Sequence, residues 1–191
     1  MSDPNKTADD GDDVLMARYQ RGDVAAFEEL YQRYESRIYG FCLRLLGDPD
    51  VASDAFQDTF IRVMDARHRY EPRGRFVSWL FTIARRVCVR KLRVGQRQEP
   101  LDLIENRSAT EFGHAPAELG EHYARCDELQ RILSALLPEQ REVLVLSKFY
   151  DFTYGEIAGM VGSTEAAVKQ KVYRALQFLR SSGGLASGRT R

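Results

Sequence analysis

From Phe27 to Leu45 the apolar residues fall three or four apart, at Phe27, Leu30, Tyr31, Tyr34, Ile38, Cys42 and Leu45. That spacing gathers them on one helical face and predicts a long amphipathic helix, capped by Asp23 and ended by Gly47. A short helix from about Val14 precedes Gly22. Asp48–Pro49 then sets a capping residue before a first-turn proline, and the helix it starts carries Ala52, Ala55, Phe56, Phe60, Val63 and Met64 inward. HRYEPRGR, broken by Pro72 and Gly74, reads as a loop. The next helix, roughly Phe76 to Val94, buries Phe76, Trp79, Leu80, Ile83, Ala84 and Val87.

Periodicity lapses over residues 96–115 and resumes near Pro116 with Leu119, Tyr123, Cys126, Leu129, Leu133 and Leu137. Beyond Pro138, Glu139 to Tyr150 forms a helix with Val143, Leu144 and Leu146 apolar. Thr153–Tyr154–Gly155–Glu156 fits a capping box and starts a short helix through Ile157, Ala158 and Val161. Gly162–Ser163 makes a tight turn, and Thr164 caps a further helix with Val168, Val172, Leu176 and Leu179 on its inner face. No alternating strand pattern occurs. The expected fold class is all-α, with two small helical domains joined by a flexible linker. Residues 1–12 form a disordered acidic N-terminus, 13–95 the first domain, 96–115 the linker, 116–180 the second domain and 181–191 a flexible tail.

Composition narrows the class. Hydrophobic residues make up 43% and charged residues 29%, a balance that suits a globular chain rather than a disordered one. No run of about 18 apolar residues exists, so no membrane insertion is expected. MSDPNKTADDGDD lacks an apolar core and is no signal peptide. Cys42, Cys88 and Cys126, each within a helical pattern, suggest reduced thiols in the cytoplasm. The net charge of zero hides a segregation. Eleven Lys and Arg between Arg62 and Arg97 face only Asp65 and Glu71, a local charge of +9. Eight acids from Glu99 to Glu128 face Arg107 and Arg125, a local charge of −6. Charge alone leaves two readings of the basic block, a polyanion-binding face and a solvated helix surface.

The C-terminal pattern is more specific. Two helices around the Gly162 turn make a helix-turn-helix, whose second helix presents its first turns to the major groove. Thr164, Glu165, Ala166, Lys169, Gln170, Lys171 and Arg174 are the outward positions near that start. Glu165 suits a cytosine amino group and Gln170 an adenine edge; Lys169, Lys171 and Arg174 suit phosphates. The alternative is a three-helix bundle with a merely solvated polar face.

DAFQDTFIRVMDARHRY, RFVSWLFTIARRVCVRKLR, LPEQREVL and the helix-turn-helix, in this order and spacing, resemble the extracytoplasmic-function sigma factors of the sigma-70 family. The resemblance covers about residues 13–94 and 117–180. It implies a transcription initiation factor, not an enzyme, with a region-two domain and a region-four domain. It implies docking on the clamp coiled coil of the largest subunit of core RNA polymerase through Asp54, Gln57, Asp58 and Arg62, with Phe60 in the core. It also implies a contact with the polymerase flap. Minus-ten promoter DNA is assigned to Tyr70, Arg73, Arg75, Phe76, Arg85, Arg86 and Arg90, and minus-thirty-five DNA to the seven helix-turn-helix positions above. A separate anti-sigma factor, tied to an envelope or stress signal, is the implied regulator, and the implied location is the cytoplasm, with the anti-sigma factor able to hold the chain near the membrane.

Arg86 stands where the family often has asparagine, and Arg90 where it often has an acid. Ala166–Ala167 replaces the commoner Gly-Thr. The bound sequences therefore do not carry over from the family. Trp79 shares the apolar stripe and reads as core. Phe81 lies about 140° from Phe76 at ~100° per residue, in line with Arg85, Cys88 and Leu92, facing DNA or another helix. The acidic linker either mimics nucleic acid in the polymerase channel or keeps the tether extended. His122 and Cys126, with His114, lack a further Cys pair for zinc, so no metal or cofactor is expected. The rival classes are an autonomous helix-turn-helix regulator with a sensing or dimerising bundle, and a helical adaptor that reads no DNA.

Overall fold

The computed structural model describes residues 4–72, 75–96 and 127–181, with side chains from Gly11 onward in the first stretch, to Val94 in the second and from Leu129 in the third. The chain divides into two compact units, residues 1–121 and 122–191, and each is built of helices with no strand among the described residues.

The first unit packs α1 (Pro4–Gln20), α2 (Val24–Leu46), α3 (Pro49–Ala66), a 3-10 turn (Arg67–Arg69) and α4 (Phe76–Gln96). Its punctuation follows the local chemistry. The Asp23 carboxylate accepts from the Ala26 N–H, and Gly47, at φ 84°, closes α2 with its N–H on the Leu43 carbonyl. One residue on, the Asp48 carboxylate accepts from the N–H groups of Asp50 and Val51 while Pro49 fills the first turn. The core is aromatic: Tyr34, Phe41, Phe56, Phe76 and Phe81 are each less than 2% exposed. Burying a phenylalanine stabilises by roughly 1.5–3 kcal/mol, so these rings dominate the unit's cohesion. Trp79, half-buried, packs as expected beside Phe76 and Tyr70.

Between its two alternatives Phe81 takes the helix. Its ring meets Phe41 of α2 edge-on, at 5.2 Å between centroids. Cys88 follows it inward against Cys42, both thiols free and buried, and that pairing with burial pushes the Cys42 pKa well up. Cys126 lies outside the described residues.

The acidic N-terminus requires a correction. Its composition points to a disordered tail over residues 1–12, yet α1 begins at Pro4 and Asp12 is fully buried. The Asp12 carboxylate accepts hydrogen bonds from the Tyr34 hydroxyl and the Arg33 guanidinium, partners 22 and 21 residues away. Local composition carries no trace of such partners.

The second unit contains α5 (Asp127–Ser134), α6 (Pro138–Phe149), α7 (Tyr154–Val161) and α8 (Glu165–Ser181). Leu133, Val143, Leu146, Ile157, Val168 and Val172 form its centre. Both bonds of the expected capping box are present at α7: Glu156 N–H to Thr153 Oγ1, and Thr153 N–H to Glu156 Oε2 at 2.8 Å. Gly162 turns the chain at φ 67°, where an L side chain would be strained. The pattern expected over 116–126 and the linker lie outside the described residues, as do His114, His122 and the tail beyond Ser181.

Candidate nucleic-acid interface

The α8 helix starts where Thr164 Oγ1 accepts from the Ala167 N–H at 3.2 Å. Val168, Val172, Ala175 and Leu179 are buried, which fixes the opposite face outward. Glu165, Ala166, Lys169, Gln170 and Arg174 are all exposed there, at the positions the sequence assigned to DNA. Glu165 also leans toward α7, its Oε2 3.6 Å from where a Cβ on Gly155 would stand. Two positions differ from the expectation. The Lys171 ammonium is bonded to Glu139 Oε2 on α6 at 2.6 Å and is only a third exposed, so it ties α8 to its own domain. Tyr173, not among the positions expected at DNA, is 58% exposed beside Arg174. Its displacement from the Val168–Val172 stripe was the available signal.

Half of α4 is a second basic surface. Arg85, Arg86, Val89, Arg90, Arg93 and Val94 line one shallow groove of about 420 Å³. Residues three and four apart share a helix face, so Arg86, Arg90 and Arg93 are stacked neighbours. Like charges at that spacing weaken a helix by roughly 0.2–0.5 kcal/mol per pair. A local cost of this kind fits a polyanion partner better than a structural purpose. Arg93 was missed in the sequence, although its spacing from Arg90 and Arg86 announces it.

Ahead of α4, the structure corrects two residues assigned to promoter DNA. Tyr70 and Phe76 are 5% and 1% exposed, with ring centroids 5.8 Å apart. Their rings belong to the core, because Phe76 also packs on Tyr34 at 5.6 Å and Tyr70 on Trp79 at 4.8 Å. An aromatic beside a basic loop is equally compatible with stacking and packing until its neighbours are known. Arg75 is exposed, as are His68 and Arg69; Arg73 lies outside the described residues.

A third surface belongs to α3. Asp54, Gln57 and Arg62 are exposed and Asp58 half-exposed, on one face with Ile61, itself 41% exposed. Lys91 of α4 stands 3.5 Å from Asp58 and 3.7 Å from Asp54. Phe60, 6% exposed, points into the core as expected.

One domain thus carries an arginine-faced helix and the other a helix-turn-helix with an exposed polar face, a combination that suits a DNA-binding protein of transcription. Two family models match the chain, Sigma-70 region 2 over residues 30–98 and Sigma-70 region 4 over residues 126–179. The chain is 34% identical to the RNA polymerase sigma factor CarQ of Myxococcus xanthus, over 86% of this chain and 93% of that protein. It is 28% identical to the ECF RNA polymerase sigma factor SigK of Mycobacterium sp. (strain KMS), over 91% of each. Among solved structures it resembles CnrH bound to the cytosolic domain of CnrY, with a TM-score of 0.65, 25% identity, and 89% and 95% of the two chains covered. The sigma factor RpoE in complex with the anti-sigma factor NepR, from Bartonella quintana, shares the fold with a TM-score of 0.65 at 22% identity, covering 85% and 98%.

The chain belongs to the sigma-70 family of RNA polymerase sigma factors, in its extracytoplasmic-function group. It is an alternative sigma factor that binds core RNA polymerase and directs promoter-specific initiation. Sigma factors are transcription initiation factors that work with core polymerase at promoters, and membership of that family sets aside both the autonomous regulator and the adaptor that reads no DNA.

Proposed function

We propose a division of labour among the three surfaces. Residues 13–95 act as region two and 116–180 as region four, with 96–115 between them. The exposed face of α3, with Asp54, Gln57, Asp58, Arg62 and Ile61, docks on the clamp coiled coil of the polymerase largest subunit. The arginine face of α4, with Arg85, Arg86, Arg90 and Arg93, holds the minus-ten DNA, joined by Arg75 at the entry to the helix. Glu165, Ala166, Lys169, Gln170, Tyr173 and Arg174 meet minus-thirty-five DNA in the major groove, and the rest of region four meets the polymerase flap.

The single observation that carries this reading is the continuous Arg86–Arg90–Arg93 face, which a helix tolerates at a cost and phosphates reward. Control by an anti-sigma factor is supported by the solved relatives, CnrH in complex with the cytosolic domain of CnrY and RpoE in complex with the anti-sigma factor NepR. We place the chain in the cytoplasm, where core polymerase is; no described helix is long and apolar enough to cross a membrane.

Run-off transcription with purified core polymerase on a library of promoter fragments tests the proposal. The expected result is a set of transcripts sharing two upstream motifs, lost when Arg86 and Arg90 are both replaced by alanine. Equal promoter choice by that double variant would overturn the assignment of α4.

A further inference from the structure

The turn between α3 and α4 is held from below by α1. The Gln20 side-chain amide donates to two main-chain carbonyls of that turn, Arg67 at 2.7 Å and Tyr70 at 2.8 Å. One amide group thus spans both ends of the turn, which its own Tyr70 N–H to Arg67 carbonyl bond closes at only 3.3 Å. The Tyr70 hydroxyl donates to the Asp13 carboxylate, so the ring is tied to α1 as well. The Arg67 guanidinium lies over the Tyr19 ring at 5.5 Å, a third link to the same helix. These links reach 47 to 57 residues along the chain.

All of them hold buried or half-buried parts of the turn, while His68, Arg69 and Arg75 remain exposed around it. Arg75 precedes the arginine groove on α4 by about 15 Å along the helix, at 1.5 Å per residue. A short stretch of opened strand spans that distance. Recognising an unstacked base needs a fixed frame, since a mobile turn adds an ordering cost to every contact.

We infer that Gln20 and Asp13 are positioning residues for minus-ten recognition: they lock the Arg67–Tyr70 turn so that Arg69 and Arg75 meet the opened strand in a fixed place. The inference rests on the proposed assignment of this end of α4 to minus-ten DNA. It makes the first helix a determinant of promoter choice without contact to DNA.

Gln20→Met removes the amide donors at nearly constant volume, and Tyr70→Phe removes only the hydroxyl that Asp13 accepts. Arg69→Ala and Arg75→Ala serve as direct-contact variants. Each full-length variant is assembled with core polymerase and assayed on the promoter recovered by run-off selection and on copies with single substitutions in its minus-ten element. Thermal melting and affinity for core polymerase are measured alongside. The inference expects Gln20→Met and Tyr70→Phe to lose about tenfold in preference for the native minus-ten sequence, the scale of one base-pair mismatch. Core affinity and the effect of minus-thirty-five substitutions should be unchanged, a separation that a general loss of folding does not produce. If the two arginine variants lose the preference while both positioning variants keep it, the inference is wrong and the assignment stands. If the arginine variants also keep it, the assignment itself fails. Where Gln20→Met melts below the assay temperature, Tyr70→Phe decides alone.

Discussion

The Asp12 carboxylate of α1 is fully buried and accepts a hydrogen bond from the Tyr34 hydroxyl on α2. Burial raises the Asp12 pKa above the ordinary carboxylate value of 3.8, outweighing the hydrogen bonds and the Arg33 charge that pull it down. A raised folded pKa means that the folded chain holds the proton more tightly than the unfolded chain. The stability that this contributes is complete below pH 3.8 and is lost as pH rises through the raised value. Asp12→Asn cannot titrate. Melting of the two proteins between pH 4 and pH 7 should therefore show the wild type losing ground to the variant as pH rises. A difference that stays flat, or grows the other way, removes burial as the governing cause.

On α4, function and helix stability are opposed. Arg90→Ala relieves two like-charge neighbours, Arg86 and Arg93, and should stabilise the helix by roughly 0.2–0.5 kcal/mol per pair. The same change should weaken DNA binding by the holoenzyme and lower its salt slope by about one. Melting and salt-dependent binding measured together check both signs.

The cations of α8 should separate cleanly. Lys169→Ala and Arg174→Ala are expected to reduce minus-thirty-five duplex affinity and its salt dependence with little effect on melting. Lys171→Ala should act in the reverse sense, since its ammonium is bonded to Glu139 within the domain. That pair is largely exposed on the Glu139 side, so its loss should cost under about 1 kcal/mol.

Ile61→Asp on the exposed face of α3 should reduce affinity for core polymerase by an order of magnitude or more without unfolding the domain, because the side chain is 41% exposed. Pull-down with core polymerase and a thermal melt measure the two effects.

Phe81→Ala should cost about 3–5 kcal/mol, as for a large ring removed from a packed core. Denaturant unfolding checks it. A loss under 1 kcal/mol would mean that the Phe41–Phe81 contact is not what holds α4 to α2.

Much of this was legible along the chain. The helices, the caps at Asp23, Asp48, Thr153 and Thr164, and the Gly47 and Gly162 turns depend on residues within a few positions of one another. Period and capping chemistry express those relations directly. The outward face of α8 followed as well, because Val168, Val172 and Leu179 state which side is inside. Division into two helical domains, and the family, came from motif order and the lapse in periodicity.

What the tertiary structure decided is which polar and aromatic residues the fold itself consumes. Asp12 was expected in solvent and is buried. Lys171 was expected on phosphate and holds Glu139, 32 residues away. Tyr70 and Phe76 were expected at DNA and lie in the core, Tyr70 bound to a carboxylate 57 residues distant. The physical reason is common to all four. A helix pattern states a residue's face within its own element, but whether that face meets water, DNA or another helix depends on contacts between distant segments.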